Sequence, residues 1–525
     1  MFSHFLRKLT AFRTAPELRT VRIGERKWRL APNAMFAFGP NGPDLDRWIA
    51  NGSASIVKSG PHRTVYRVQL PGGVVFVKHC RILGARAWLR EAVRPAKARL
   101  EFENLFELQK RGIPAAVPLA WGTFDSPWPG ESWLITKSLD DAVPFTALVA
   151  QPMTPGERRE LARSLGRFFA KLHDAGVDHP DPHPGNLLVR DGRFSLIDLH
   201  AVGLTGPLSW KRRRANLVLF NRWFQLRANR TDRLRFWRAY TSEHEARARD
   251  VEQHTAASNR RFWAGRVSRC LGNNRYFHKL KRGPYRGFTV RDLSDEILEP
   301  FLNDPDSLFH SAKLLKDSRT SKVAIVSLGG RELLLKRVNI RGRIEPLKNA
   351  LRPSAVLRSW INGHSLRDRW LPTPRPLAML HRMRNGLPAE GWLLTELVQE
   401  PAALAPSEAE KLARTLRQMH DRGVSHRDLK ASNILLERGT DPVFIDLVGV
   451  RLGSPPPFRQ RSKELARINA SFLGATTHTT RLRFLLTYLN AGECRLANWK
   501  DWWRAIRAAT EAKQAKNRRS GRPLA

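Results

Sequence analysis

The chain has 525 residues, of which 91 are Lys or Arg and 48 are Asp or Glu, giving a formal charge of +43. At 42% hydrophobic and 26% charged residues it has the composition of a folded protein with two or more domains, which excludes wholesale disorder. The charge draws the chain toward polyanions (nucleic acid, an anionic membrane face or a phosphorylated glycolipid) without choosing among them. Cys80, Cys270 and Cys494 lie far apart with no CxxC or Cys/His cluster, which excludes a disulfide framework or zinc module and fits a reducing cytoplasm. No run approaches the roughly 18 apolar residues of a membrane-spanning helix. Residues 1–45 read as a basic N-terminal segment, either a surface-binding amphipathic stretch or a frayed terminus.

In chain order, residues 46–270 open with short β-branched runs, TVYRVQLPGG and VVFVK, which predict a three-stranded meander ending on Lys78. AKARLEFENLFELQKRG has helical apolar spacing and a Gly stop, and ERRELARSLGRFFAKLHDAG is a second amphipathic helix. A polar loop follows, then NLLVRDGRFSLIDL, whose Asp191-Gly192 pair signals a hairpin. The remainder is helical and basic. Residues 271–305 read as a linker. After it the pattern repeats. KSGPHRTVYRV from Lys58 aligns without gaps on KDSRTSKVAIV from Lys316, Lys78 on Lys336, and RGIPAAVPLA on the stretch ending LPTPRPLA. LHDAGVDHPDPHPGN from Leu172 then aligns on MHDRGVSHRDLKASN from Met419, and TDRLRFWRAY on TTRLRFLLTY. The matches keep their order, at an offset of 258 that drops to 247 or 248 through a net loss of about ten residues in the second copy between Thr395 and Met419, and mean a duplicated domain, with the second copy over residues 306–495. Each copy is a small sheet lobe followed by a larger helical lobe, an α+β architecture. Residues 496–525 read as a basic C-terminal tail, whose end KQAKNRRSGRPLA, from Lys513, is without periodicity and is expected to be disordered.

The loop between helix and hairpin carries the chemistry. It reads His179, Asp181, Asn186 and then Asp198 in the first copy, and His426, Asp428, Asn433 and then Asp446 in the second. H-x-D-x-x-x-x-N followed by a hairpin and Asp is the arrangement that phosphoryl transfer needs. One carboxylate sits beside the acceptor hydroxyl, an amide and a second carboxylate hold magnesium, and a strand lysine meets the nucleotide phosphates. ATP and Mg2+ are the expected ligands.

These motifs give both halves a resemblance to the protein-kinase-like fold, and within it to the bacterial lipopolysaccharide core kinases (the Kdo kinase/WaaP heptose kinase family). The quoted segments RGIPAAVPLA, LHDAGVDHPDPHPGNLLV, HDRGVSHRDLKASNILL, LIDLH and FIDLVG carry it. The resemblance implies two tandem bilobal kinase-like domains. By position it makes Asp181 and Asp428 catalytic, Asn186 with Asp198 and Asn433 with Asp446 metal-binding, and Lys78 and Lys336 phosphate-binding. Glu101 is the helix partner expected to orient Lys78, whereas Ser359 stands at its place in the second copy.

Neither copy has G-x-G-x-x-G, DFG or A-P-E. The regulated activation loop of a protein kinase is therefore not supported, and a compact acceptor fits better. The implied activity is ATP-dependent phosphorylation of a sugar hydroxyl on an anionic glycolipid, in the cytoplasm or peripherally on the inner face of the membrane. The alternatives are a protein or small-molecule acceptor, or one domain that binds nucleotide without catalysis. Charge is the sole pointer to nucleic acid. Arginine clusters in WKRRRANLVLFNRW and FRQRSKELARIN are expected either to form a substrate-facing basic surface or to be solvated. The Trp residues, among them Trp223, Trp237, Trp360 and Trp392, are expected in cores.

Overall fold

The computed structural model describes residues 18–38, 42–241, 245–339, 347, 349, 351–399, 402, 406–437, 441–492 and 498–519. The first 17 residues and Cys494 lie outside this set. The chain divides into two units, Met1–Ala256 and Ala257–Ala525.

The first unit is built on a seven-stranded antiparallel sheet of β1 (Arg19–Ile23), β2 (Arg26–Leu30), β3 (Ala54–Gly60), β4 (Arg63–Leu70), β5 (Gly73–Cys80), β6 (Pro118–Phe124) and β7 (Ser132–Lys137). The spatial order is β1-β2-β6-β7-β5-β4-β3. The expected meander is β3–β4–β5. Alternation along β5 buries Val75 and Val77 on one face and turns Lys78 to the other. Residues 19–30, expected as part of a basic segment, instead add two strands, because Trp28 and Leu30 alternate into the core at 1% and 0% exposure.

Helix α1 (Ala85–Ala92) precedes α2 (Lys97–Lys110), which buries Ala98, Glu101, Phe102, Leu105 and Leu108 at helical spacing. In the helical lobe, α3 (Pro155–Asp174) starts with a capping box between Thr154 and Glu157 and has Pro at its first position. The helix ends at Gly176, φ +74°, where a Cβ would stand 2.0 Å from the Thr205 carbonyl oxygen, so no other residue fits. Beyond it, β8 (Leu187–Arg190) and β9 (Arg193–Leu196) form the expected hairpin. Asp191 and Gly192 both take positive φ at its turn, +50° and +71°. Helices α4 (Trp210–Phe224) and α5 (Arg230–Tyr240) follow in the same lobe.

The second unit repeats the plan. Its sheet has β10 (Phe277–Arg282), β11 (Tyr285–Val290), β12 (Lys313–Ser318), β13 (Ser321–Leu328), β14 (Arg331–Val338), β15 (Pro376–Arg384) and β16 (Leu387–Glu396). The order β10-β11-β15-β16-β14-β13-β12 is the same topology. The stretch 271–305 is thus not a linker. Its hairpin is completed by pairing with β15, as in Thr289 against Ala378, a partner too distant in sequence for local pattern to reveal. The counterpart of α2 is α6 (Ala355–Asp368). The helical lobe has α7 (Ala409–Asp421), β17 (Ile434–Leu435) paired with β18 (Val443–Phe444), α8 (Phe458–Phe472) and α9 (His478–Asn490). Gly423, φ +74°, mirrors Gly176, with a Cβ position 1.9 Å from the Gly453 oxygen. The tail is a helix as far as Arg519: α10 (Trp499–Arg519) buries Trp502, Ile506 and Thr510, spaced four apart, against the lobe. These buried positions all precede Lys513, and the helix they anchor runs on into the basic stretch expected to be disordered, as far as Arg519. Trp237, Trp360 and Trp392 are core residues, while Trp223 is half-buried.

Candidate active site

In the first unit the β5 lysine, the α2 glutamate and the aspartate after the β8–β9 hairpin converge. Lys78 Nζ lies 2.5 Å from Glu101 Oε1 and 3.5 Å from Asp198 Oδ1. Glu101 is 4% exposed, and its Oε1 also accepts from the Leu199 amide at 3.3 Å, which ties the helix to the residue after Asp198. Burial alone would push the Lys78 ammonium down; Glu101 and Asp198 more than offset it and hold it above the ordinary lysine value. Burial likewise pushes the Asp198 carboxyl up, but the hydrogen bond from His200 and the charges of Lys78 and Arg63 hold it well below the usual carboxylate range.

The loop is pinned from behind. The His179 amide donates to Asn216 Oδ1 at 2.8 Å, and the Asp181 amide donates to His179 Nδ1 at 3.2 Å. The Asn186 amide group donates to the Asp181 carbonyl at 3.1 Å, which leaves its oxygen for another partner. Burial pushes the His179 imidazole down to about 4, so it is neutral and can accept that amide hydrogen bond at pH 7.

The second unit brings together the corresponding groups with one difference. Asn433 Nδ2 donates to the Asp428 carbonyl at 2.8 Å and to its Oδ2 at 3.2 Å, and the Asp428 amide donates to His426 Nδ1 at 3.2 Å. Lys336 Nζ rests on Asp446 Oδ1 at 2.8 Å. Ser359 does not replace the glutamate, since its hydroxyl donates to Ala355 O within α6. Burial pushes the Asp446 carboxyl up, and Lys336 pulls it below its ordinary value. Asp198 and Asp446 both occupy left-handed backbone, φ +64° and +54°, a conformation that non-glycine residues adopt at some cost and that recurs at functional sites.

Several participants were missed by the sequence reading. Asn104 donates to the Leu199 and Val202 carbonyls at 2.7 and 3.3 Å, and Asn362 to Leu447 and Val450 at 2.8 and 3.3 Å. Their matching positions in the duplication were the available signal. Arg63 reaches Asp198 Oδ2 at 2.8 Å from the start of β4; its second-copy counterpart is Ser321, so the repeat gave no hint. His200, at the Gly position of a DFG, bonds Asp198 at 3.0 Å. Glu101, Asp198 and His200 place ligand atoms within 4.8 Å of one another, so a cation here would compete with Lys78 and Arg63. The arginine clusters are largely committed internally. Arg213 pairs with Asp174 at 2.7 Å and Arg214 with Asp250 at 3.1 Å. Arg461, in the position of Arg213, pairs with Asp421 at 2.9 Å and is 8% exposed.

A sheet-borne lysine and a catalytic-type loop between the lobes, present in both units and joined in the first by a helix glutamate, define a protein-kinase-like domain in each. The sequence profile of the lipopolysaccharide kinase (Kdo/WaaP) family matches residues 85–240 and 349–505, and the chain belongs to that family. Among curated relatives, the lipopolysaccharide core heptose(I) kinase WaaP of Pseudomonas aeruginosa is 26% identical over 197 residues, 34% of this chain and 73% of that protein. A 3-deoxy-D-manno-octulosonic acid kinase of Xanthomonas campestris pv. campestris is 34% identical over 124 residues, 22% of this chain and 49% of that protein. The match therefore spans about half the length of the latter. A solved structure, WaaP in complex with acyl carrier protein, aligns at 23% identity with a TM-score of 0.32, covering 43% of this chain and 96% of that one.

Proposed function

We propose that the protein transfers the γ-phosphoryl group of ATP to a sugar hydroxyl of a lipopolysaccharide-type glycolipid. The observation that carries this reading is the Lys78–Glu101–Asp198 cluster facing a complete H-x-D-x-x-x-x-N loop. Asp181 would orient the acceptor hydroxyl and take its proton as the oxygen attacks phosphorus. Lys78, fixed by Glu101, would hold the nucleotide phosphates. The Asn186 amide oxygen and the Asp198 carboxylate are hard oxygen donors that suit Mg2+, which when bound supplies neutralisation of phosphate charge. Asp428, Lys336, Asn433 and Asp446 would take the same roles in the second domain.

One relative is named a lipopolysaccharide core heptose kinase and the other a 3-deoxy-D-manno-octulosonic acid kinase, which favours a sugar acceptor over a protein. Among the described residues no helix is long and apolar enough to cross a membrane. A glycolipid acceptor and cytoplasmic ATP would bring the protein to the inner face of the membrane as a peripheral visitor. The test is transfer of label from MgATP to purified lipid A–core, with Asp181→Asn and Asp428→Asn. We expect Asp181→Asn to cost about 10²- to 10⁴-fold in turnover, the usual scale for a lost general base. Absence of transfer by the unaltered protein would overturn the acceptor.

A further inference from the structure

The second unit holds a cavity of about 810 Å³ whose lining includes none of Lys336, Asp428, Asn433 or Asp446. Six arginines line it, Arg266, Arg269, Arg275, Arg291, Arg367 and Arg375, against three aspartates, Asp292, Asp368 and Asp441. Two of the arginines spend charge internally. Arg375 pairs with Asp292 at 2.5 Å and Arg266 with Asp368 at 3.4 Å. Among the described residues, Arg269, Arg275 and Arg367 form no ion pair; Arg269 and Arg275 lie over the Tyr276 ring at 3.9 and 4.6 Å. Burial, with Arg266 and Arg275 beside it and Asp368 opposing, pulls the Arg269 guanidinium below its ordinary value, and burial does the same to Arg367, with Glu396 opposing and Arg375 adding to it. The cavity wall also includes His364, whose Nε2 is buried and meets no hydrogen-bonding group of the protein.

The shared fold does not require this. The first copy forms the same helix and sheet with Phe106, Gln109, Lys110 and Val117 where the second has His364, Arg367, Asp368 and Arg375. Arg275, Arg291 and Arg367 are exposed and Arg266, Arg269 and Arg375 half-buried, so the guanidinium groups together raise a potential that attracts an anion into the cavity. The arginine fork matches phosphate oxygens two at a time, and a phosphomonoester brings about −1.5 to −2 charges at pH 7, which the lining's excess of arginine over aspartate more than covers.

We propose that this cavity is a second anion site, which binds a phosphomonoester or diphosphate group away from the phosphoryl-transfer cleft. Such a group belongs either to a soluble phosphorylated metabolite or to the phosphorylated head of a glycolipid. The variant Arg367→Gln/Arg375→Val installs the residues of the first copy, so the fold tolerates them, and MgATP affinity reports that the cleft is intact. Pyrophosphate binding to the full chain in the absence of Mg2+ is measured by calorimetry. Binding to phosphatidylcholine vesicles carrying lipid A is measured by sedimentation, with Arg504→Ala/Arg507→Ala as a control of equal charge. We expect the cavity variant to lose about tenfold in pyrophosphate affinity, the scale of one or two lost charge-assisted contacts. If it also loses lipid A vesicles while the control keeps them, the source is a headgroup; if it keeps the vesicles, the source is soluble. Unchanged pyrophosphate affinity together with unchanged vesicle binding in the cavity variant, or no binding of either probe by the unaltered chain, overturns the proposal.

Discussion

Lys78 and Lys336 occupy equivalent strand positions yet rest on different carboxylates. Lys78 is held from the helix side by buried Glu101, which also receives the Leu199 amide, so strand, helix and metal-type loop meet at one oxygen. Lys336 has no such anchor and leans on Asp446. A metal ion entering either site has to displace a basic side chain, Arg63 from Asp198 or Lys336 from Asp446, so what sets the first domain apart is that Glu101 holds Lys78 in place for the phosphates. Glu101→Gln removes the charge while keeping the shape. We expect kcat/KM for ATP in the first domain to fall about 100-fold, the cost of a misplaced phosphate contact, measured in an Asp428→Asn background. A fall below threefold would show that Glu101 merely fills space. The loop motif and both lysines were legible because their spacing is fixed by chemistry. Arg63 was not, because the fold alone brings it to Asp198, 135 residues away, and His200, though only two residues from Asp198, was not because it matches no residue of the kinase motif.

At the scale of elements, α1 is the unexplained piece. It buries none of its residues, and Trp88 is 39% and Leu89 66% exposed, with Val93 at 64% just beyond its end. Trp128, 69% exposed, approaches Trp88 with ring centroids 6.1 Å apart. Arg86, Arg90 and Arg94, all exposed, interleave this apolar face. A short helix with bare aromatic residues among arginines is suited to an anionic bilayer interface. The double variant Trp88→Ala/Leu89→Ala should weaken sedimentation with phosphatidylglycerol-containing vesicles at least about fivefold, for the loss of roughly 1–3 kcal/mol of apolar burial in the headgroup zone. Equal binding by the variant would move the contact elsewhere. The meander, α2, α3 and the Asp-Gly hairpin could be read from local pattern. The strands at 19–30 and 277–290 could not, since each is completed by β6 or β15 far along the chain.

For the whole molecule, a charge of +43 says little about how the fold is held, because many arginines are tied into pairs that the duplication copies, such as Arg213–Asp174 and Arg461–Asp421. The pH response depends more on buried neutral imidazoles. Burial pushes His173 and His364 down to about 3, and His179 and His381 down to about 4. An unfolded histidine takes up its proton near pH 6.5, so below that value the unfolded chain binds more protons and stability falls until the folded-state values are passed. Asp198 and Asp446, both held low, act in the same direction once the unfolded carboxylates begin to protonate near pH 4. Lys78, held high, contributes stability that is lost only as pH rises beyond the ordinary lysine value. Stability should therefore be flat from about pH 7 to 8, fall above that because burial holds the Cys80 and Cys270 thiols protonated while their unfolded counterparts ionise near about pH 8.5, and decline between about pH 6.5 and 4, by on the order of 1 kcal/mol per pH unit for each buried histidine. Urea denaturation at a series of pH values measures this. His364→Phe, the residue the first copy carries as Phe106, should flatten the decline for the second domain and leave the first unaltered. An acid slope that this variant does not change would mean that His364 already exchanges its proton in the folded state, and that the wall it forms is wetter than its burial implies.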